Sequence, residues 1–305
     1  MKRELSYYYN WTRLSDEDFY RAVREFIDNG CRRFVITNPL LAQLVESEER
    51  IAFLRKLCSE MEVEFTSVHA LFGRNYDLNC TDPATREKMF VTHSKAMEIA
   101  ASFGCKTYAI HVGAAEYCYD HVPLDVLRPL AIDAVERLLP AAEKTGMVIA
   151  VENSQEPSNT AAEVIKIIAP FKDHPNVGVC YDTGHANMLA SAPGKTFDQY
   201  QPYMAKCWWE TGIQHEDNAL AMLKEHIVTC HIHDNLGLGD QHGMPFDGTI
   251  DWRKLMPELF SCPRMIDYQT EVCLDAGTNW AGPLLAPAGG YSIRRLAETF
   301  RYLGF

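Results

Sequence analysis

Residues 231–252, HIHDNLGLGDQHGMPFDGTIDW, gather three histidines (His231, His233, His242) and two ligand-type aspartates (Asp234, Asp240) around a glycine-broken loop. The apolar segment IVTC runs directly before them. A buried strand that delivers imidazoles and carboxylates into a loop is costly unless something compensates the polar groups, and a divalent cation does so. The pattern recurs along the chain. Short apolar runs end in a metal-type ligand at FTSVHA (His69), YAIHVG (His111), VIAVEN (Glu152), VGVCYDTGH (Asp182, His185) and YQTEVC (Glu271). Glu152 and Glu271 are the sharpest of these, because a carboxylate inside an apolar segment requires a partner.

The spacings point to the architecture that must position them. His69 to His111 spans 42 residues, followed by intervals of 41 to Glu152, 30 to Asp182, 49 to His231 and 40 to Glu271. One strand–helix unit of a (β/α)8 barrel takes roughly 30 residues, more with insertions. Two further units fit before His69, with ELSYYYN (4–10) and CRRFVIT (31–37) as first and second strands. Between these, SDEDFYRAVREFIDNG opens on a Ser15 or Asp16 cap, carries acids in its first turn and closes on Gly30. Helices are expected at 84–104, 124–145, 160–172, 252–260 and 290–303, with a long one within 197–225. Nearly all-apolar strands separated by amphipathic helices call for a parallel sheet covered by helices. The expected fold class is α/β, a single (β/α)8 TIM barrel spanning residues 1–305 as one domain.

Composition agrees and sets limits. With 305 residues, 47% of them hydrophobic, the chain can bury a large core. No Pro/Gly/Ser-rich linker, low-complexity tract or short repeat interrupts it. There is no 18-residue apolar run, and MKRELSYYYN lacks the apolar stretch of a signal peptide, so neither membrane insertion nor secretion is expected. None of the ten cysteines forms a CxxC pair, and Cys105, Cys180, Cys230 and Cys273 sit in or beside apolar runs. They read as small buried hydrophobes of a reducing, cytoplasmic protein. Charge is acidic, 29 basic against 41 acidic residues and a net −12, which argues against nucleic-acid binding. Gly237, Gly239 and Gly243 have the wrong spacing for a dinucleotide fingerprint, and no P-loop motif occurs. Trp208-Trp209 either wall the active site or a subunit contact, or pack the sixth-unit helix on the barrel, the packing role being preferred. His93, His121, His174, His215 and His226 fall in helix or loop stretches and are expected at the surface.

In a (β/α)8 barrel every strand points its C-terminal end at one face, where the loops build the active site. Glu152, Asp182, His231 and Glu271 then converge from the fifth to eighth strands. Three carboxylates and one imidazole suit Mn²⁺, Zn²⁺, Co²⁺ or Mg²⁺ with positions open to substrate or water. The three carboxylates repel one another unless a cation sits among them. Asp182 has an alternative role as a helix N-cap and His231 as a core histidine. His233 shares a strand face with His231 and is expected to support the ligands, and Asp234 to orient His231 or bind solvent.

These residues, in this order over nearly the whole chain, resemble the xylose-isomerase-like TIM-barrel superfamily of sugar and sugar-phosphate isomerases and epimerases, which includes the endonuclease IV branch. Glu152 in VEN, Asp182 and His185 in DTGH, His231 in HIHDN and Glu271 match the family's motif positions. The resemblance implies that Glu152, Asp182, His231 and Glu271 hold the principal metal, with Glu152 and Glu271 also the catalytic acid–base pair. It implies a further metal site at His69 and His111 with Glu152, and another at His185, Asp240 and His242. Substrate contacts or structural roles are the alternatives for these five. Two features depart from the nuclease branch: VGAAE follows His111, and Phe246-Asp247 follows Pro245. The expected activity is a metal-dependent isomerase or epimerase acting on a small sugar or sugar phosphate through an enediolate. The alternatives are a dehydratase of the same superfamily, a zinc phosphodiesterase of the endonuclease IV type, and a metal-bearing sugar sensor. Homo-oligomers are common in such a family.

Overall fold

The apolar segments form, in the computed structural model, one eight-stranded parallel sheet rolled into a barrel. The structure describes residue 3 and residues 5–274, 285–287 and 289–305; Glu4, at the start of the candidate first strand, lies outside them. The strands are β1 (Leu5–Ser6), β2 (Arg33–Ile36), β3 (Glu64–His69), β4 (Thr107–His111), β5 (Val148–Glu152), β6 (Val177–Asp182), β7 (Ile227–Ile232) and β8 (Tyr268–Thr270). Their order, β1-β8-β7-β6-β5-β4-β3-β2, follows the chain. The seam between β1 and β2 is bridged by Tyr7, whose N–H donates to the Arg33 carbonyl (2.9 Å) while its own carbonyl accepts from Val35 N–H (3.1 Å). The fold is the (β/α)8 TIM barrel.

Two-residue alternation along each strand separates an outer core from the barrel interior. In β4 and β5, Tyr108, Ile110, Ile149 and Val151 belong to the large core beneath the helices. Their neighbours Ala109, Val148 and Ala150 join Cys180 and Val228 in a small separate cluster inside the barrel. Below that cluster, Asp267 accepts hydrogen bonds from Ser67 Oγ (2.6 Å) and Thr107 Oγ1 (3.0 Å), tying β3 and β4 to the residue that precedes β8. The same period places His111, Glu152, Asp182, His231 and Glu271 inward at the opposite end. The barrel's small interior side chains thus lie between a hydroxyl–carboxyl network and a ring of ligand-type groups.

Helices Pro83–Phe103, Leu124–Thr145, Ala161–Ile168, Trp252–Phe260 and Ile293–Leu303 lie where apolar periodicity predicts them. Ser15 is the cap of the first long helix, Asp16–Asp28, its side chain accepting from Asp18 N–H. The long helix expected within 197–225 is instead broken into Phe197–Gln199, Pro202–Cys207 and Ala219–Leu223. Pro202 fixes a new helix start, and Gly212 takes φ +69 between the last two pieces. The apolar residues of this stretch, including Met204, Cys207 and Trp208, pack on Tyr117, Cys118, Leu127 and Met188 as a satellite core.

His93 corrects the expectation of a surface histidine: it is fully buried. It lies one helical turn from Met89 and from Ala96 and Met97, on the core face of its helix. Its Nδ1 lies 2.7 Å from Tyr108 Oη and its Nε2 2.8 Å from the Tyr76 carbonyl, so both nitrogens are satisfied. Burial lowers its pKa from 6.5 to about 4. Between those values the unfolded chain binds a proton that the folded chain does not, so this residue makes stability fall as pH drops through that window. Replacing His93 by Gln should remove that dependence. Relative to the variant, wild type is expected to lose about 3 kcal/mol of unfolding free energy between pH 7 and pH 4. Parallel pH profiles for the two proteins in denaturant titrations would contradict this.

Candidate metal centre

Neighbouring strand ends bring the predicted ligands into register. Glu152 pairs with His111 on one side and Cys180 on the other, and Asp182 pairs with His231. His231 Nδ1 lies 3.1 Å from Glu152 Oε1, 3.1 Å from Glu271 Oε2 and 3.8 Å from Asp182 Oδ2. The four ligand atoms of Glu152, Asp182, His231 and Glu271 all lie within 4.8 Å of one another. All four residues are buried, Asp182 completely and Glu271 to 8% exposure. Asp182 Oδ1 accepts from His185 N–H (2.7 Å) as the cap of helix Thr183–Leu189, the alternative foreseen for it, while Oδ2 stays turned toward His231.

The other candidates form two flanking groups. His111 Nε2 and His69 Nε2 lie 3.3 and 3.8 Å from Glu152 Oε2, making a group of His69, His111 and Glu152. On the other side, Asp240 Oδ2 lies 3.0 Å from His242 Nε2 and 3.4 Å from His185 Nε2. His233 joins this second group. Its Nε2 stands 3.0 Å from both oxygens of Asp182, and its ring stacks on that of His242 with centroids 4.0 Å apart. Gly184 makes room for it, since a Cβ there would sit 2.0 Å from His233 Cε1.

Asp234 does not reach His231. It accepts from Trp252 Nε1 (2.7 Å) and from the N–H groups of Asn235, Phe246 and Ile250. Its backbone pairs with Gly243 in both directions. Asp234 lies two residues past Ile232, the last residue of β7, and its side chain turns into the following loop instead of the barrel. It therefore staples the loop that presents Asp240 and His242, the latter at the left-handed φ of +46.

Three imidazoles have one nitrogen committed to a carbonyl: His69 Nδ1 to Ala70, His185 Nδ1 to Asn153 and His242 Nδ1 to Glu271. A carbonyl only accepts, so each Nδ1 carries the proton and each Nε2 is directed at carboxylates. Burial opposes charging His185, His231 and His242, but the anionic groups around them raise all three well above the ordinary imidazole value. Burial likewise opposes ionisation of Glu152, Asp240 and Glu271, and the imidazoles outweigh it, holding all three carboxyls below their usual range. His69 goes the other way, pushed down to about 4 by burial.

The donor set fits a divalent cation. Glu152 Oε2, Glu271 Oε2 and Asp240 Oδ1 are buried without a hydrogen-bond partner. Unpaired buried polar atoms are costly, and a cation beside these oxygens would compensate them without protonating three imidazoles. A cavity of about 440 Å³ opens onto the cluster. Its described lining includes Tyr8, Phe72, Asp77, Tyr119, Glu156, Asn159 and Tyr203, which ligand spacing does not single out. Glu156 was the most accessible of these to sequence reasoning, because it lies four residues beyond Glu152 in the same strand-end loop. Trp208 contributes from behind: its Nε1 donates to the Gln155 carbonyl (3.0 Å), tying the segment after β6 to that loop.

Comparison with known proteins places this geometry. A relative from Sinorhizobium fredii, the protein y4fM, is 27% identical over 234 residues, covering 68% of this chain; the chain spans 65% of that relative's length. The 3-keto-D-glucoside 4-epimerase YcjR of E. coli superposes with a TM-score of 0.67 at 17% identity, covering 99% of both chains. A xylose isomerase-like TIM barrel protein from Mycobacterium smegmatis in complex with magnesium superposes with a TM-score of 0.65 at 15% identity, covering 99% of this chain and 95% of that one. At such identities the two structures share the fold. No described helix is long and apolar enough to cross a membrane. Residues 28–276 match the sequence pattern of the xylose isomerase-like TIM barrel family, and the chain belongs to that family.

Proposed function

We propose that this protein is a divalent-metal-dependent isomerase or epimerase of a small sugar, with Glu152 and Glu271 as its acid–base pair. The observation that carries the reading is the convergence of these two buried carboxylates on one nitrogen of His231, each 3.1 Å from Nδ1, with the ligand atoms of Glu152, Asp182, His231 and Glu271 within 4.8 Å of one another. Glu152, Asp182, His231 and Glu271 would hold the cation, which supplies Lewis-acid stabilisation of developing oxyanion charge. One structural neighbour is a sugar epimerase and another carries magnesium, and both support the assignment.

The chain's own groups provide the proton chemistry. One glutamate removes the proton from the carbon beside the substrate carbonyl, leaving an enediolate, and the other returns a proton. Return from the opposite face inverts the centre and gives an epimer. Transfer on one face between adjacent carbons gives an isomer. His69, neutral with its proton on Nδ1, presents the Nε2 lone pair toward Glu152 and Glu271, where it accepts from a substrate hydroxyl. Tyr203 lines the cavity, and Trp208 tethers the Gln155 loop beside it, walls that would limit water around the enediolate.

The flanking ligand groups also favour a second reading, a zinc phosphodiesterase with two or three ions. Hydrogen–deuterium exchange of ketoses in D₂O separates the two. The isomerase reading expects exchange at one carbon, with Glu152→Gln and Glu271→Gln each lowering the rate by ~10²–10⁴-fold. Absence of exchange with any ketose, together with nicking of abasic DNA, would establish the phosphodiesterase instead.

Chelation provides an independent check. Because the ligands are buried and mutually repulsive, removing the cation should lower the thermal midpoint, and adding Mn²⁺ or Zn²⁺ should restore it. At a free metal concentration of 100 Kd the stabilisation is ~2.7 kcal/mol. An unchanged midpoint after exhaustive chelation would contradict a structural dependence on the ion.

A further inference from the structure

We infer that the cavity selects an uncharged polyhydroxy substrate, an unphosphorylated sugar or glycoside, and rejects sugar phosphates; as a statement about turnover this rests on the isomerase or epimerase reading. The charged side chains lining its described part are all carboxylates or imidazoles, and neither Lys nor Arg is among them. Arg74, in the loop after β3, is engaged by Asp120 and faces Glu116.

Phosphate has a second route into such barrels, through backbone N–H groups at helix starts and glycine turns. Several such amides are already engaged by side-chain oxygens. The helix that begins at the cavity with Asn38 has no side-chain cap but carries Pro39 in its first turn, which has no N–H to offer. Helix Ala161–Ile168 directs the N–H groups of Ala161 and Ala162 at the Glu216 carboxylate (2.8 and 3.0 Å). Gly73 N–H donates to Asp77 Oδ1 (2.8 Å), and Gly113 N–H to Asn159 Oδ1 (3.0 Å). Gly113 is held at φ +113, and a Cβ on it would meet Asn79 Oδ1 at 2.4 Å, so this turn is built closed around its amide partners.

What the cavity wall offers instead is hydrogen-bond acceptors and ring faces. Glu156, 6% exposed, accepts from Tyr203 Oη (2.9 Å), Asn159 Nδ2 (3.0 Å) and Gln155 Nε2 (3.1 Å), which leaves one of its roughly four lone-pair sites for a hydroxyl donor. Phe72 and Tyr119 line the cavity while 45% and 52% exposed, apolar faces of the kind that accept the C–H face of a sugar ring. A phosphate ester would set a dianion against Asp77 and Glu156 with no Lys or Arg in the described lining to offset it. An uncharged polyol meets hydrogen-bonding groups and aromatic surface without that repulsion.

The test uses metal-loaded protein and ketose pairs differing only in a phosphate: D-fructose with D-fructose 6-phosphate, and D-ribulose with D-ribulose 5-phosphate, alongside a methyl ketoglycoside. Binding is read by thermal shift and calorimetry, and turnover by exchange in D₂O. The expected result is binding of uncharged ligands, with kcat/KM or affinity roughly 100-fold above that of the phosphorylated partner. Glu156→Gln should narrow that ratio roughly 10-fold by removing one like charge. Preference for the phosphate member of either pair, or no binding by any uncharged ligand, overturns the inference. Binding of uncharged sugars without exchange supports the charge selection and removes the isomerase reading, so the two failures are distinct.

Discussion

Three carboxylates converge on one imidazole beside a cavity whose described lining has no lysine or arginine to neutralise them, and much of the molecule is arranged around that repulsion. Glu152, Asp182 and Glu271 face His231 from neighbouring strand ends, and oxygens of both glutamates are left buried and unpaired. Left to itself the cluster draws protons onto His185, His231 and His242. A divalent cation would satisfy the same oxygens with one charge centre and would leave the imidazoles neutral.

The surroundings hold that arrangement in place. Committed Nδ1 protons fix the rings of His69, His185 and His242. His233 braces Asp182 from the space that Gly184 leaves open. Asp234 secures the loop behind β7, so that Asp240 and His242 are presented from a stapled turn. Interior side chains below the site are small, Ala109, Ala150 and Cys180, which lets the strands approach and their ends converge. The Asp267 network ties β3 and β4 to the start of β8 at the far end.

Much of this was legible in the sequence because two periods coincide. Strand alternation puts every second residue inward, and a repeat of about 40 residues returns each inward ligand to the same rim, so Glu152, Asp182, His231 and Glu271 could be grouped from spacing alone. Where tertiary contact overrides local pattern, sequence reasoning fell short. His93 occupies a helical core position that a polar residue type conceals, and its burial depends on Tyr76 and Tyr108. The stretch 197–225 has helix-like periodicity but is held by packing on the helix after β4 and by the Trp208 hydrogen bond. Asp234 sits between two ligands in sequence yet meets backbone amides. Asp77, Glu156 and Tyr203 reach the cavity from loops whose course no periodicity encodes.

The most direct test of the central claim is anomalous diffraction at the absorption edge of the metal carried by crystals of the protein. A strong peak is predicted within about 2.0–2.4 Å of oxygens of Glu152, Asp182 and Glu271 and of His231 Nδ1. A peak confined to the Asp240, His185 and His242 group, or no peak among the four central residues in fully metal-loaded crystals, would contradict it.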